Sequence, residues 1–455
     1  MQVTVDVGGR PGLDCKGFCS FCYFKGVADV SSFGCKRCDP YKKGCDYCSR
    51  EVIEIEPGYK PLDQLLFEVS QRSVSASPEM ITIKGNGDIS CYPHILDLVE
   101  KASNGKVPVF LDYTSGKGFT RDDEADLLVD AGVQRISFSI FSTNPRLRRE
   151  YVNDKNPEVV LHNFRTFCER ADLYAMIVLI PGVNDGEELA KTCRDIEEMG
   201  AKGLMIMSFA NSFEQGLIFG NGPVMPGVVP YSAQDIRRIA TKINEDYDFR
   251  VIGTPLWDPL TGAPFALAHH REHLKRLPQI ENGMTIITSS IAYPLLASIF
   301  QELGDEVNVV ATKKEIGNLI TLEDFERMDL KNVRDRVIIP GMVLAHDRDI
   351  HKALRRDGKR RLVFRGPDEL TVVPERSIYC TPEEVIEKEI EAFTGLIMQI
   401  NELGSRIADI DSCENRVQEK RGQDGSAPVN DLNAHNSRTG RSAHYTKEMS
   451  IKLTV

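Results

Sequence analysis

Six short apolar runs recur through the first 210 residues: VTVDVG (3–8), MITIKG (80–85), VPVFLDY (107–113), RISFSIF (135–141), YAMIVLI (174–180) and GLMIMSF (203–209). Segments with apolar positions at helical spacing lie between them, such as PLDQLLFEVSQR (61–72), RDDEADLLVDAG (121–132) and GEELAKTCRDIEEMG (186–200). Strands and helices that alternate along a chain pack as parallel strands with helices outside. The class is α/β. Six strands in this length predict an open, partial (β/α)6 barrel rather than a closed eight-stranded one.

Beyond residue 210 the pattern changes. Residues 211–280 are rich in Gly and Pro (FGNGPVMPGVVP, GTPLWDPLTGAP) and read as connecting structure with a few helices. A second, smaller unit of α+β type is expected over 281–411, opened by MTIITSS and continued by EVNVVATKKEIGNLITLEDFERM and RVIIPGMVLAHD. TPEEVIEKEIEAFTGLIMQINEL begins with a Thr-x-x-Glu capping box at Thr381 and Glu384 and reads as a helix. Residues 412–455 are polar and aperiodic and read as a disordered tail. No internal repeat is present.

The bulk numbers narrow the function classes. The chain has 455 residues with a net charge of −11, which argues against a nucleic-acid binder that relies on a broad basic face. No apolar run approaches the roughly 20 residues needed to span a bilayer, and MQVTVDVGGRPG carries no secretory pattern. The expectation is a cytoplasmic protein that works without nucleic acid or membrane.

Cysteine placement changes the picture most. Of 12 cysteines, seven lie between positions 15 and 48, and so dense a cluster in a reducing compartment reads as metal ligation. Cys15-x3-Cys19-x2-Cys22 puts three thiolates on one loop at the end of the first strand. Three thiolates on a cubane iron–sulfur cluster leave one iron open to a substrate. A structural zinc knuckle borrowing a fourth ligand is the alternative, although such sites favour paired two-residue spacings. Cys35-x2-Cys38-x6-Cys45-x2-Cys48 has that paired spacing, and a tetrathiolate site for one iron or zinc is expected within residues 33–50. With all four positions filled its role reads as structural; a second electron-transfer centre is the sharper alternative.

Three features beyond the spacing carry a resemblance. Phe21 precedes the last cysteine, the loop follows a barrel strand, and glycine-rich turns end later strands. From here to about residue 210 the sequence resembles the radical S-adenosylmethionine (SAM) superfamily. The resemblance implies a 4Fe-4S cluster on Cys15, Cys19 and Cys22, with SAM bound at the open iron. Gly85-Asn86-Gly87-Asp88 looks like a variant of the Gly-Gly-Glu motif that holds the SAM amino group. ISFSIFSTNPRLRREY is similar to the fourth-strand segment, which implies that Ser137 and Ser139 meet the ribose and Arg148 the SAM carboxylate. LIPGVNDGEEL resembles the turn that lies against the adenine. The ordinary readings stand beside these: a plain turn at 85–88, and a solvated helix face for Arg146, Arg148 and Arg149. Tyr23, next to Cys22, is a candidate ligand for the open iron until SAM displaces it, or else a tyrosine packed on the loop with its hydroxyl hydrogen-bonded.

The pairing of the two cysteine motifs with this C-terminal unit resembles a narrower group, the methanogenesis marker radical SAM proteins that C-methylate an arginine of methyl-coenzyme M reductase. That implies cobalamin as a further cofactor. It also implies a 5′-deoxyadenosyl radical that takes hydrogen from the arginine Cδ, an electron donor, and the reductase alpha subunit as protein substrate. The Asp-x-His-x-x-Gly motif for cobalamin is absent, since DRDIHKAL has Leu354 at the glycine position. The candidate cradle is GNLITLEDF (317–325) with Leu319, Thr321 and Leu322, or that stretch is an ordinary strand–turn–helix. Asp112 is a candidate partner for a substrate guanidinium, or a cap. A cobalamin-free radical SAM peptide modifier and a non-catalytic metal-stabilised scaffold are the other function classes.

Overall fold

The computed structural model describes residues 2–27, 42–43, 53–54, 58–73 and 78–423, with 2, 42–43, 53–54 and 405–423 as backbone alone. The paired-cysteine motif, Cys35 to Cys48, lies outside the described residues, as does the chain after 423. The chain runs β1 (Gln2–Asp6), a short antiparallel pair β2 (Lys42–Lys43) and β3 (Ile53–Glu54), α1 (Leu62–Ser73), β4 (Met80–Lys84), α2 (Ile95–Ser103), β5 (Val109–Thr114) and α3 (Glu124–Ala131). It continues through β6 (Val133–Ser139), the one-turn α4 (Pro145–Leu147), α5 (Pro157–Arg170), β7 (Asp172–Leu179), α6 (Gly186–Glu198), β8 (Gly203–Ser208), α7 (Ala233–Asp246) and β9 (Arg250–Thr254).

All seven long strands are parallel in the order β1-β4-β5-β6-β7-β8-β9. Chain order and sheet order agree, so each helical crossover returns on the same outer face, as in a partial barrel. Alternation sets the two faces. Val3, Val5, Ile81, Ile83, Leu111, Ile136, Phe138, Ala175, Ile177, Leu204 and Ile206 pack outward under the helices. Met176, Val178, Met205, Met207 and Ile252, one residue out of phase, line the inside.

The α/β reading holds, with one addition. The stretch read as connecting structure supplies the seventh strand and its helix. Helix α7 is started by a capping box in which Ser232 and Asp235 hydrogen-bond reciprocally, and Ile236, Ala240 and Ile243 bury its inner face. The Gly/Pro-rich flanks obscure a five-residue strand whose Val251 and Ile252 are fully buried.

The second unit comprises β10 (Met284–Thr288), α8 (Tyr293–Leu303), β11 (Val307–Ala311), α9 (Leu322–Arg327), β12 (Arg336–Ile339), α10 (Asp347–Ala353), β13 (Leu362–Arg365), α11 (Pro374–Ser377) and α12 (Pro382–Gln423). Its sheet is wholly parallel, order β11-β10-β12-β13, which corrects the expected α+β class to α/β. Both faces are covered. Ile286 and Ile338 pack toward α8 and α12 with Phe300 and Phe393, while Ile287, Val337 and Ile339 pack toward α9 and α10 with Phe325 and Ile350. Helix α12 starts with the expected Thr381–Glu384 box (2.9 and 3.2 Å) and runs past 412, where the tail was placed. Its apolar stripe, Ile390, Phe393, Leu396, Ile397 and Ile400, keeps the helix on the sheet.

The second unit grips the barrel at both ends. At the C-terminal ends of the strands, fully buried Lys314 donates to Phe213 O, lies 3.1 Å over the Phe213 ring and pairs with Asp324 at 3.6 Å. Glu315 N donates to Glu214 O at 2.8 Å beside it. At the other end Arg250 donates to Ser377 O (2.9 Å) and Cys380 O (3.0 Å). Tyr379 enters the barrel there, against Tyr174 (4.6 Å), Phe110 (6.1 Å) and the Arg135 guanidinium (4.6 Å). Those partners lie near the starts of their strands, so the lumen is closed below and its working end is above. Among the described residues no helix is long and apolar enough to cross a membrane.

Candidate active site

The three-thiol loop leaves β1 at the C-terminal edge of the sheet and turns tightly. Asp14 holds Arg10 through its backbone N–H (2.7 Å) and guanidinium (2.9 Å), closing the first turn. Gly17 has φ +108°, and a Cβ there would strike the Asn153 side chain, so only glycine fits. The far side of the loop rests on the segment after α4, where Arg148–Val152 widens into a π-turn. Ser20 N donates to Tyr151 O (2.8 Å) and the Cys19 thiol to Val152 O (3.4 Å).

Each thiol has a defined setting. Cys15 Sγ accepts from Gly12 N (3.3 Å) and Asp88 N (3.2 Å). Lys117 Nζ lies 4.0 Å from Cys19 Sγ and 2.6 Å from Gly17 O. Burial pushes the Cys15 and Cys19 thiols up to about 11, and it also raises Cys22. All three are free thiols, and among the described residues no three Cys, His, Asp or Glu side chains converge on a single metal ion. A cubane asks for something else: one thiolate per iron, with N–H donors and positive charge toward the sulfurs. The donor set here fits that demand. Iron binding would reverse the burial effect, because a coordinating thiol is deprotonated outright.

The expected ligand turns come to the same edge. Asn86 N and Gly87 N both donate to Gly8 O (2.9 and 3.2 Å), and a Cβ on Gly85 would meet Val7 and Gly8 O, so 85–88 lies flat on the end of β1. Ser137 and Ser139 are buried on β6, with the Ser137 hydroxyl 3.5 Å from the Tyr379 hydroxyl. The turn after β7 is held by Asn184, whose Oδ1 accepts from Ile180 N (2.8 Å) while Nδ2 donates to Phe141 O and Val178 O (2.9 Å each).

Two residues expected to hold SAM are engaged by the protein itself. The Asp88 carboxylate accepts from Ser90 N (3.0 Å), Ser90 Oγ (2.8 Å), Thr114 Oγ1 (2.6 Å), Ser115 N (3.1 Å) and the Ser115 hydroxyl. It ties the turn after β4 to the turn after β5. Arg148 is 0% exposed and engaged within the fold: Nε donates to Asp154, Nη1 to Ser139 O and Ile140 O, and Nη2 to Ser115 O, with the Asp154 carboxylate 2.9 Å from Nη2. It is not the solvated helix face that its RLRRE context suggests.

Tyr23 stacks on Phe209 (6.1 Å) and its hydroxyl accepts from Ala210 N at 3.0 Å. Asn221 Nδ2 then holds Tyr23 O (2.6 Å) and Lys25 O (3.1 Å), binding the cysteine loop to the loop after β8. Phe21 stacks on Phe141 at 5.0 Å. Leu319, Thr321 and Leu322 lie on the second unit. Thr321 caps α9 with Asp324, and Leu319 is 4% exposed where a Cβ on Gly216 would strike it.

The turn after β5, Thr114–Gly118, was missed from sequence. It provides Lys117 and two of the Asp88 partners, and Gly118 is required because a Cβ would collide with the Ser90 carbonyl. Its signal was present: TSGKG follows a barrel strand.

Residues 10–196 match the family described as the Radical SAM superfamily. That stretch is therefore a radical SAM domain. Among curated proteins none matches the chain. SuiB from Streptococcus suis is 11% identical, the alignment taking 62% of this chain and 53% of that one at a TM-score of 0.39. A radical SAM methyltransferase from Sphaerobacter thermophilus is 14% identical over 55% of this chain and 64% of that one, at 0.33. TsrM from Kitasatospora setae, a radical SAM methyltransferase with cobalamin and a [4Fe-4S] cluster bound, is 14% identical over 36% and 33%, at 0.28. The chain spans about half the length of SuiB. None of these likenesses carries an argument about the reaction.

Proposed function

We propose that the chain is a cobalamin-dependent radical SAM protein methyltransferase that methylates the sp3 Cδ of an arginine in methyl-coenzyme M reductase. One observation carries the reading: the three-thiol loop sits at the open end of a lumen that Tyr379 closes below and a second parallel sheet flanks above. The loops after β8 and β11 meet there, through Lys314 to Phe213 and Glu315 N to Glu214 O. The second sheet has its topological switch at β10, between β11 and β12, the position at which open parallel sheets take ligands. Leu319, Thr321 and Leu322 lie on that side, with Leu344 N donating to Ile320 O at 2.7 Å, which supports this turn as the cobalamin-facing one.

When bound, the cofactors supply a radical able to take hydrogen from an unactivated carbon, and a methyl group for that carbon. The chain's own contribution is position and dryness. Cys15, Cys19 and Cys22 hold the cluster. The wall formed by Met176, Val178, Met205, Met207 and Ile252 is buried and apolar, a surface that disfavours water beside a reactive radical. Asp112, on β5 and within electrostatic reach of Tyr379, is the carboxylate toward which a substrate guanidinium would turn. Cys35, Cys38, Cys45 and Cys48 hold one iron or zinc in this reading, and an electron donor serves the cluster.

The test is an anaerobic reconstitution with iron, sulfide and cobalamin, followed by desalting and a visible spectrum. Retained cobalamin bands beside the iron–sulfur absorption, with methylation of an arginine-containing reductase peptide, are the expected result. Iron–sulfur absorption without cobalamin sinks the methyltransferase reading in favour of a cobalamin-free peptide modifier.

A further inference from the structure

Lys117 is 5% exposed and, among the described residues, forms no ion pair. A buried ammonium without a counter-charge is costly, and folded chains rarely keep one. The other buried cations show the usual solution: Arg148 has Asp154, Arg361 has Asp357, and Lys314 has Asp324. Lys117 instead points its Nζ at Gly17 O (2.6 Å) in the cysteine loop, with Cys19 Sγ at 4.0 Å. Its electrostatic influence reaches Cys15, Cys19 and Cys22 alike. The nearby carboxylate, Asp88, has its oxygens occupied by Ser90, Thr114 and Ser115.

The backbone that carries Lys117 is pinned on both sides. Ser115 N donates to Asp88 (3.1 Å), Ser115 O accepts from Arg148 (2.7 Å), and Gly118 N donates to Ser90 Oγ (2.9 Å). The charge is therefore preorganised before any cluster arrives, like a fixed dipole in an active site. From this we infer that Lys117 is the resident counter-cation of the three-cysteine cluster and biases it toward the reduced state. The inference rests on the reading that Cys15, Cys19 and Cys22 carry an iron–sulfur cluster. Reduction adds one electron and makes the cluster with its thiolates more negative by one unit. A fixed positive charge stabilises that state more than the oxidised one. The hydrogen bond to Gly17 O makes Lys117 a positioning residue too, so the test separates charge from tether.

The full chain is reconstituted anaerobically as wild type, Lys117→Met and Lys117→Arg, and iron content is measured first. Each protein is then titrated with dithionite in the presence of redox mediators, and the reduced cluster is counted by electron paramagnetic resonance. At a fixed poise near the wild-type midpoint, Lys117→Met should lower the ratio of reduced to oxidised cluster at least about ten-fold, equivalent to a midpoint about 59 mV lower for a one-electron couple. Lys117→Arg should stay within about two-fold. An unchanged ratio in Lys117→Met overturns the inference, as does an equal fall in Lys117→Arg, which would assign the effect to loop geometry. If Lys117→Met takes up no cluster, loading of Lys117→Arg decides: retention supports the counter-cation, and loss overturns it. A wild-type chain that takes up no cluster overturns the underlying reading as well, and so is told apart from a loaded chain whose potential ignores Lys117.

Discussion

Replacing Arg148 with methionine distinguishes a ligand from a structural ion. As a SAM-carboxylate ligand, Arg148 would be dispensable to the metal-free chain, and its loss would show only in SAM affinity. The geometry says otherwise. The substitution leaves Asp154, 3% exposed, with Asn156 N (3.1 Å) as a remaining donor, and removes the donors that Ser115 O, Ser139 O and Ile140 O now share. Breaking a buried pair on one side typically costs about 3–5 kcal/mol, and the lost carbonyl hydrogen bonds add to it, although Ile140 O keeps Ser142 N as a donor at 2.7 Å. We therefore expect Arg148→Met to lose about 3–5 kcal/mol in urea unfolding of the metal-free protein, followed by far-ultraviolet circular dichroism with an unchanged m-value. Iron loading should fall too, because Ser20 and Cys19 rest on Tyr151 and Val152, inside the turn that Arg148 begins. The double variant Arg148→Met/Asp154→Leu should recover a good part of the loss, since an apolar pair replaces an ionic one. A single-variant loss under about 1 kcal/mol, or a double variant no better than the single, would refute the reasoning.

Two more outcomes follow from the second unit. Glu389 is fully buried, and burial raises its carboxyl pKa against the opposing hydrogen bonds from Thr371 Oγ1 (2.6 Å) and Leu267 N (3.0 Å). The folded state then holds the proton more tightly than the unfolded one, so stability falls as pH rises from the ordinary carboxylate value through the raised one. Glu389→Gln should flatten the dependence of Tm on pH above about 4.5, and a variant curve parallel to wild type would reject this. Tyr379→Ala should cost about 3 kcal/mol by opening the lower end of the lumen between Tyr174, Phe110 and Arg135, whereas Tyr379→Phe should stay within about 1 kcal/mol because the 3.5 Å contact with Ser137 is marginal. Equal losses in the two variants, measured by denaturant unfolding, would contradict the plug.

The barrel was legible because its signals are local. Ile81 and Ile83, or Ile136 and Phe138, alternate with inward residues in each strand, and Leu189, Cys193 and Ile196 repeat at helical spacing. The Thr381–Glu384 box spans four residues and needs nothing else. Strand β9 was not legible, since five residues between Gly- and Pro-rich flanks give too short a period. The parallel class of the second sheet was hidden for another reason: α+β and α/β units share apolar runs, and only register distinguishes them.

By itself the sequence determined the α/β class, the strand–helix units of the barrel and the three thiols on one tight loop, because periodicity and ligand spacing act over a few residues. Tertiary structure alone decided what surrounds those thiols. Lys117 reaches Cys19 across 98 positions, Asp88 joins Ser115 across 27, and Tyr379 meets Ser137 across 242. It also turned Arg148 from an apparent surface charge into a buried pair that braces the edge of the site. Such pairings exist only after distant strands are packed side by side, and the desolvation that gives them their strength exists only in the folded interior.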